Sequence, residues 1–105
     1  MRAINVARDF TRFPAGRYAR NGDTSGEAFR SRFLEEPLRH GEAITVELDG
    51  TIGYGSSFLE EAFGGLVRSL NSQPDDVLKL LHIESSDQSL VDEITQYIKD
   101  AGAAS

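Results

Sequence analysis

The stretch Val46-Glu47-Leu48-Asp49-Gly50-Thr51-Ile52-Gly53-Tyr54-Gly55-Ser56-Ser57-Phe58 places two serines directly behind a glycine-containing loop and ahead of an amphipathic run. Where an apolar strand feeds a helix in this way, the first helical amides lack carbonyl partners and the positive end of the dipole faces the serine hydroxyls. Such a site favours an anion. The chemistry would be that of a phosphoryl group, carried covalently on Ser56 or belonging to a ligand held by Ser56 and Ser57. The same residues also fit a structural use, with Ser57 as an N-cap and Ser56 in the turn. A second cluster is Arg17, Arg20 and Arg30 with Ser25 and Glu27. Arginine offers a planar fork to carboxylate or phosphate, so these residues suit an anionic ligand or an acidic partner, and equally a brace from Arg17 to an internal carboxylate.

Catalytic constellations are not formed. Gly55-Ser56-Ser57-Phe58-Leu59 lacks the second glycine of a nucleophile elbow, and His40 and His82 are the only histidines available as bases. With no cysteine and two isolated histidines, no metal site is expected. Glu60 and Glu61 are neighbours that point about 100° apart on a helix, which suits capping and solvation better than a carboxylate pair. There is no phosphate-binding P-loop and no dinucleotide fingerprint, so no cofactor is implied and a non-enzyme is expected.

The elements that must position these residues follow from the hydrophobic pattern. Ala3–Phe10 reads as a strand, Arg17–Arg20 as a short second strand pairing with it, and Asn21-Gly22 as a turn. Thr24-Ser25-Gly26-Glu27 has capping-box spacing and starts a helix that Pro37 kinks or ends, with Gly41 as its latest exit. Ala43–Leu48 is a strand. Ser57-Phe58-Leu59-Glu60 repeats the capping-box spacing before a helix with a wide apolar face, Phe58, Leu59, Ala62, Phe63, Leu66, Val67 and Leu70. Gly64-Gly65 within it costs about 1 kcal/mol each relative to alanine, which close packing inside the fold would offset. Pro74 lies in a polar linker, Val77–Ile83 holds a central strand, and Leu90, Val91, Ile94, Tyr97 and Ile98 stripe a last helix. The order β-β-α-β-α-β-α implies a small α/β layer, a sheet with parallel neighbours and helices packed on it.

Composition sets the outer limits. The chain has 105 residues, 39% hydrophobic and 27% charged, which is enough for one modest core. One domain over 1–100 with a frayed tail over 101–105 is expected. No segment approaches a membrane span or a signal peptide, so a cytoplasmic protein without membrane contact is expected. The net charge of −6 is unevenly spread. Residues 1–40 carry eight arginines against five carboxylates, net +3, and residues 41–105 carry three basic against twelve acidic groups, net −9. A sequence pI of about 4.8 argues against direct nucleic-acid binding.

Three segments, Pro14–Arg17, Ser25–Arg30 and Tyr54–Arg68, carry a resemblance to the bacterial STAS-like domain family (DUF4325-type), itself distantly similar to the anti-sigma-factor antagonists. The resemblance implies a STAS-like fold over nearly the whole chain. In the antagonists a serine at this helix start is phosphorylated by a GHKL-type ATPase kinase, and the modification controls which partner is bound. Ser56 matches that position, although Gly55 stands where the antagonists have aspartate and Phe58 replaces a glycine. The expectation is a regulatory protein-interaction module using Tyr54, Gly55, Ser57 and Phe58 as the docking loop, Ser56 as candidate phosphoacceptor, and a GHKL-type ATPase as partner. The alternative is a sensor of a small anionic ligand or nucleotide that uses the same helix start with Arg17, Arg20 and Arg30.

Overall fold

In the computed structural model, which describes residues 2–103, three short strands form one sheet: β1 (Arg2–Asn5), β2 (Ile44–Glu47) and β3 (Leu81–Glu84). All pairings are parallel and β2 is central, with Arg2, Ile44 and Leu81 aligned across the sheet, as are Ile4, Val46 and Ile83. Because side chains alternate, that register puts Ile4, Ile44, Val46 and Leu81 on the face that is buried against the helices. Four helices supply the other layer. Helix α1 covers 26–39 through the consecutive turns Gly26–Phe29, Arg30–Leu34 and Glu35–Arg39, and α2 covers 56–70 through Ser56–Leu59, Glu60–Gly64 and Gly65–Leu70. The short α3 (Pro74–Leu80) leads into β3, and α4 (Gln88–Ala103) closes the fold. The core is an aromatic and aliphatic slab in which Phe29, Phe58, Phe63, Leu66, Ile94 and Ile98 are fully buried.

The alternation of strands and helices predicted an α/β layer, which is found, but several local expectations are corrected. The second strand at Arg17–Arg20 is absent. The carbonyls of Gly16 and Arg17 accept the amides of Gly26 and Glu27 at 3.0 Å each, so this segment spends its acceptors on the open N-terminus of α1 and not on a ladder. The turn at Asn21-Gly22 exists as the end of a 3-10 turn over Ala19–Asn21. The first strand stops at Asn5, because Asn5 Oδ1 accepts the Arg8 amide at 2.9 Å while Asp9 Oδ2 accepts the Asn5 amide at 2.8 Å, and this local exchange curls Val6–Phe10 into a wide turn.

The helix starts lie close to their predicted places, but with different caps. Ser25, not Thr24, caps α1, its hydroxyl oxygen accepting the Ala28 amide at 3.1 Å. Gly55, not Ser57, caps α2, and no side chain bonds there. Pro37 neither ends nor breaks α1. Its ring would press on the Phe33 carbonyl, and the preceding Arg30–Leu34 turn is already widened to i→i+5 bonding, with the Glu35 amide on the Arg30 carbonyl. The exit comes at Gly41, whose amide reaches the Leu38 carbonyl at 3.0 Å. The largest miss is α3. Val77–Leu80 is helical, only Leu81–Glu84 is strand, and that strand lies at an edge of the sheet rather than in its centre. The expected tail is helical as far as Ala103, with Ala101 buried, and 104–105 lie outside the described residues.

Glycines let α1 and α2 touch. A Cβ on Gly26 would strike the Phe58 carbonyl and lie 3.0 Å from the Ala62 amide nitrogen. The pair Gly64-Gly65 is packed inside the fold, as its cost required: a Cβ on Gly65 would meet the Arg30 guanidinium, and one on Gly64 would lie 3.2 Å from the Tyr97 carbonyl. Gly26→Ala should therefore destabilise by about 1–3 kcal/mol despite alanine's better helix propensity, measurable as a lower urea midpoint at unchanged m-value.

Candidate functional site

The loop between β2 and α2 is built on fixed points. Leu48 is buried, and the Tyr54 hydroxyl donates to its carbonyl at 2.7 Å while the Tyr54 ring packs on Phe58 with centroids 5.9 Å apart. Burial pushes the Tyr54 phenol up to about 12. The Ile52 amide donates to the Arg12 carbonyl at 3.0 Å, tying this loop to the one that follows Phe10. Between these ties the surface is open. Gly55, Ser56 and Ser57 are exposed, and Ile52 and Phe13 are 73% and 58% exposed, an unusual state for large apolar side chains on neighbouring loops. The first amides of α2 have no side-chain cap, so its positive end faces outward beside both serines. Of the residues singled out in the sequence, Gly55, Ser56 and Ser57 are on this surface. Tyr54 is half-buried and Phe58 fully buried, so these two hold the loop in place and do not offer themselves to a ligand.

The arginines are elsewhere engaged. Arg30 is buried, with Nη1 at 2.5 Å from Glu61 Oε2 and 2.8 Å from the Glu61 carbonyl, and Nε at 2.7 Å from Glu35. Arg17 Nη1 lies 2.5 Å from Glu60 Oε1 and 3.4 Å from Glu61, and Arg68 closes the group at 2.8 Å from Glu60 Oε2. Arg20 stands apart, its guanidinium 4.8 Å from the Tyr18 ring centre. Glu60 and Glu61, expected to cap and solvate, are instead the acceptors that join α2 to α1 and to the 14–18 loop. Hydrogen bonds from Arg68 and Arg17 hold the Glu60 carboxyl below the usual carboxylate range. Burial pushes Glu35 up, but bonds from Arg30 and Ser69 outweigh it and leave that carboxyl lowered too.

Sequence reasoning missed Asp49, Ser85 and Ser86. The Asp49 carboxylate accepts the Ser86 amide at 3.1 Å and both serine hydroxyls at 3.2 Å, locking the β2 and β3 exits together. Beside it lies an open cleft of about 400 Å³ lined by Asn5, Glu47, Asp49, Glu84, Ser85 and Ser86. The Asp49-Gly50 pair signals a turn in sequence, but nothing local signals its partners 36 positions away. Neither His40 nor His82 joins a cluster, and among the described residues no group of three or more His, Cys, Asp or Glu could hold a metal.

A short parallel sheet carrying its helices against one buried face, with an exposed helix start behind the central strand, defines an α/β domain of STAS-like build. A family model for a STAS-like domain of unknown function (DUF4325) matches residues 25–90, and the chain belongs to that family. The match runs from the cap of α1 to the first turn of α4; β1, Arg17 and Arg20 fall outside it, so it is narrower than the nearly full-length resemblance. Neither a curated protein nor a solved structure matches the chain. Among the described residues no helix is long and apolar enough to cross a membrane.

Two outcomes follow from the ion network. Arg30→Met strands two carboxylates at a buried site and should cost about 3–5 kcal/mol in chemical denaturation. Because Glu35 and Glu60 are lowered in the folded state, their contribution is complete above the unfolded value near 4.3 and is lost as pH falls through the folded values. Urea unfolding followed from pH 6 to pH 3 should show stability falling with acid, and Glu60→Gln should flatten that slope.

Proposed function

We propose that the chain is a non-catalytic regulatory module that binds a protein partner through the 50–57 loop and the start of α2. The observation that carries this reading is the exposure of Ile52 and Phe13 beside Gly55, Ser56 and Ser57. It is an apolar pair next to an uncapped helix start, held on a loop that Tyr54 and Phe58 anchor from below. Exposed apolar side chains gathered at one place suit a protein surface, and the open amides suit an anionic group at its margin. A phosphoryl group on Ser56 would sit in the first turn of α2, where charge-assisted bonds favour it and where it would change the sign of the docking surface. That supports Ser56 as phosphoacceptor for a GHKL-type ATPase.

The reading as an anionic-ligand or nucleotide sensor draws less support, because Arg17 and Arg30 face Glu35, Glu60 and Glu61 and are not directed to the helix start. Among the described residues neither histidine is bonded to Ser56 or Ser57, which suits binding better than catalysis, and a cytoplasmic setting fits a partner of the ATPase kind.

The experiment is affinity capture of the tagged chain from its own cell extract with and without ATP, with mass spectrometry of Ser56. A partner lost on Ile52→Asp, together with a phosphoryl group absent from Ser56→Ala, is the expected result. Capture indifferent to Ile52→Asp removes the docking surface from the proposal, and modification that persists in Ser56→Ala removes the phosphoacceptor.

A further inference from the structure

Two cations without a carboxylate lie beside the 50–57 loop. The Arg32 guanidinium is 5.3 Å from the ring centres of both Phe10 and Phe33, and its N–H donors meet no acceptor among the described residues. Glu36, one turn further along α1, is taken up by Arg39 at 3.2 Å. Phe10 leans on Phe58, with centroids 6.5 Å apart, and Phe58 in turn carries Tyr54, so Arg32 borders the aromatic base on which the loop rests. Arg12 belongs to the same neighbourhood, because its carbonyl accepts the Ile52 amide at 3.0 Å and Phe13 follows it. Its side chain is exposed and has no ion pair or hydrogen bond among the described residues; Asp9, the carboxylate closest to it in sequence, holds Arg8 at 3.1 Å. By contrast Arg2, Arg8, Arg17, Arg30, Arg39 and Arg68 each reach a carboxylate. A guanidinium stacked on an aromatic ring has its face covered and its edge donors left for an acceptor in the ring plane. Arg32 is therefore placed for a carboxylate with less rotamer freedom left to lose on binding.

We propose that the partner of this loop presents an acidic segment, with an apolar side chain lying on Phe13 and Ile52 and carboxylates reaching Arg12 and Arg32. The inference rests on the reading of the 50–57 loop as a docking surface and deepens it by fixing the chemistry of the partner. Apolar contact supplies the burial, and the two cations at its margin choose the sign of the partner and orient it. An anionic lipid surface fits the same cations less well, since the net charge of −6 opposes it and two arginines give a weak electrostatic anchor. Binding should weaken with salt and with loss of either arginine.

The test uses the whole chain, isotopically labelled, titrated with a short peptide in which leucines are interspersed with glutamates and, separately, with the same peptide bearing lysines. Expected are saturable amide shifts at Arg12, Phe13, Ile52 and Gly53 with the glutamate peptide alone, and an affinity about tenfold weaker for the Arg12→Gln, Arg32→Gln double variant. Lys79→Gln removes an exposed cation just ahead of β3, at the end of the parallel sheet opposite the loop that follows β2, and should leave the affinity unchanged. If the double variant loses its helical circular dichroism, Arg12→Gln alone carries the test at about threefold. The same variants then enter the capture experiment. A partner lost on Ile52→Asp but kept by the arginine variants overturns the acidic segment and leaves the docking loop standing, whereas capture indifferent to Ile52→Asp overturns both. No shifts, equal shifts with the lysine peptide, or binding to phosphatidylserine vesicles in place of the peptide would each overturn the proposal. So would a dimer in sedimentation that the arginine variants dissolve, since the occupant would then be a second copy of the chain.

Discussion

The buried pairing of Arg30 with Glu61 and Glu35 is the constraint around which the helical layer is arranged. A guanidinium out of water is tolerated only when its donors are met, and here they reach two carboxylates and a backbone carbonyl within 2.8 Å. Meeting them dictates the neighbours: Gly65 must lack a side chain to admit the guanidinium, and Gly26 must lack one so that α1 comes close enough to α2. Both helices carry a widened turn where they share this pair, at Arg30–Leu34 and at Glu60–Gly64. Arg17 and Arg68 then complete the charge balance from the margins. Among the described residues no buried side-chain nitrogen or oxygen lacks a partner, as such a network requires.

The large features were legible because they rest on hydrophobic period and on helix-start chemistry. Ile44, Val46 and Leu48 alternate, and Phe58 to Leu70 keep a helical stripe, so β2 and α2 could be placed within a residue or two. What escaped was decided by interactions between distant residues or by competing local bonds. Asn5 and Asp9 cut β1 short through an exchange that a two-residue alternation does not register. The Arg17 segment has strand composition, but its carbonyls are claimed by α1. At Val77–Ile83 an apolar run of that length fits helix or strand alike, and the deciding marks were present in Pro74 at the first turn with Asp75 and Asp76 behind it.

The candidate site was legible in part for the same reason. Gly55, Ser56 and Ser57 announce themselves by type and spacing, and they are exposed at a helix start. Their apolar neighbours Ile52 and Phe13 do not, because 39 positions separate them and the contact between their loops rests on a backbone bond from Ile52 to Arg12. The arginines announce themselves by number, yet their partners on α1 and α2 become visible only in three dimensions. Of the eight arginines in residues 1–40, Arg2, Arg17 and Arg30 reach carboxylates of the acidic remainder, at Glu42, Glu60 and Glu61, while Arg8 and Arg39 pair within their own segment.

The register of the sheet also governs when it can exist. Arg2 pairs with Ile44 and Ile44 with Leu81, so among the described residues no hairpin is present and each strand pairing closes a span of about forty residues. A chain leaving the ribosome holds β1 idle until β2 follows, and neither can complete the sheet before Glu84 is clear of the exit tunnel. During that interval Ile4, Ile44 and Val46 have only helices to shelter against, so nascent chain at this stage is the form most exposed to chaperones and to mispairing.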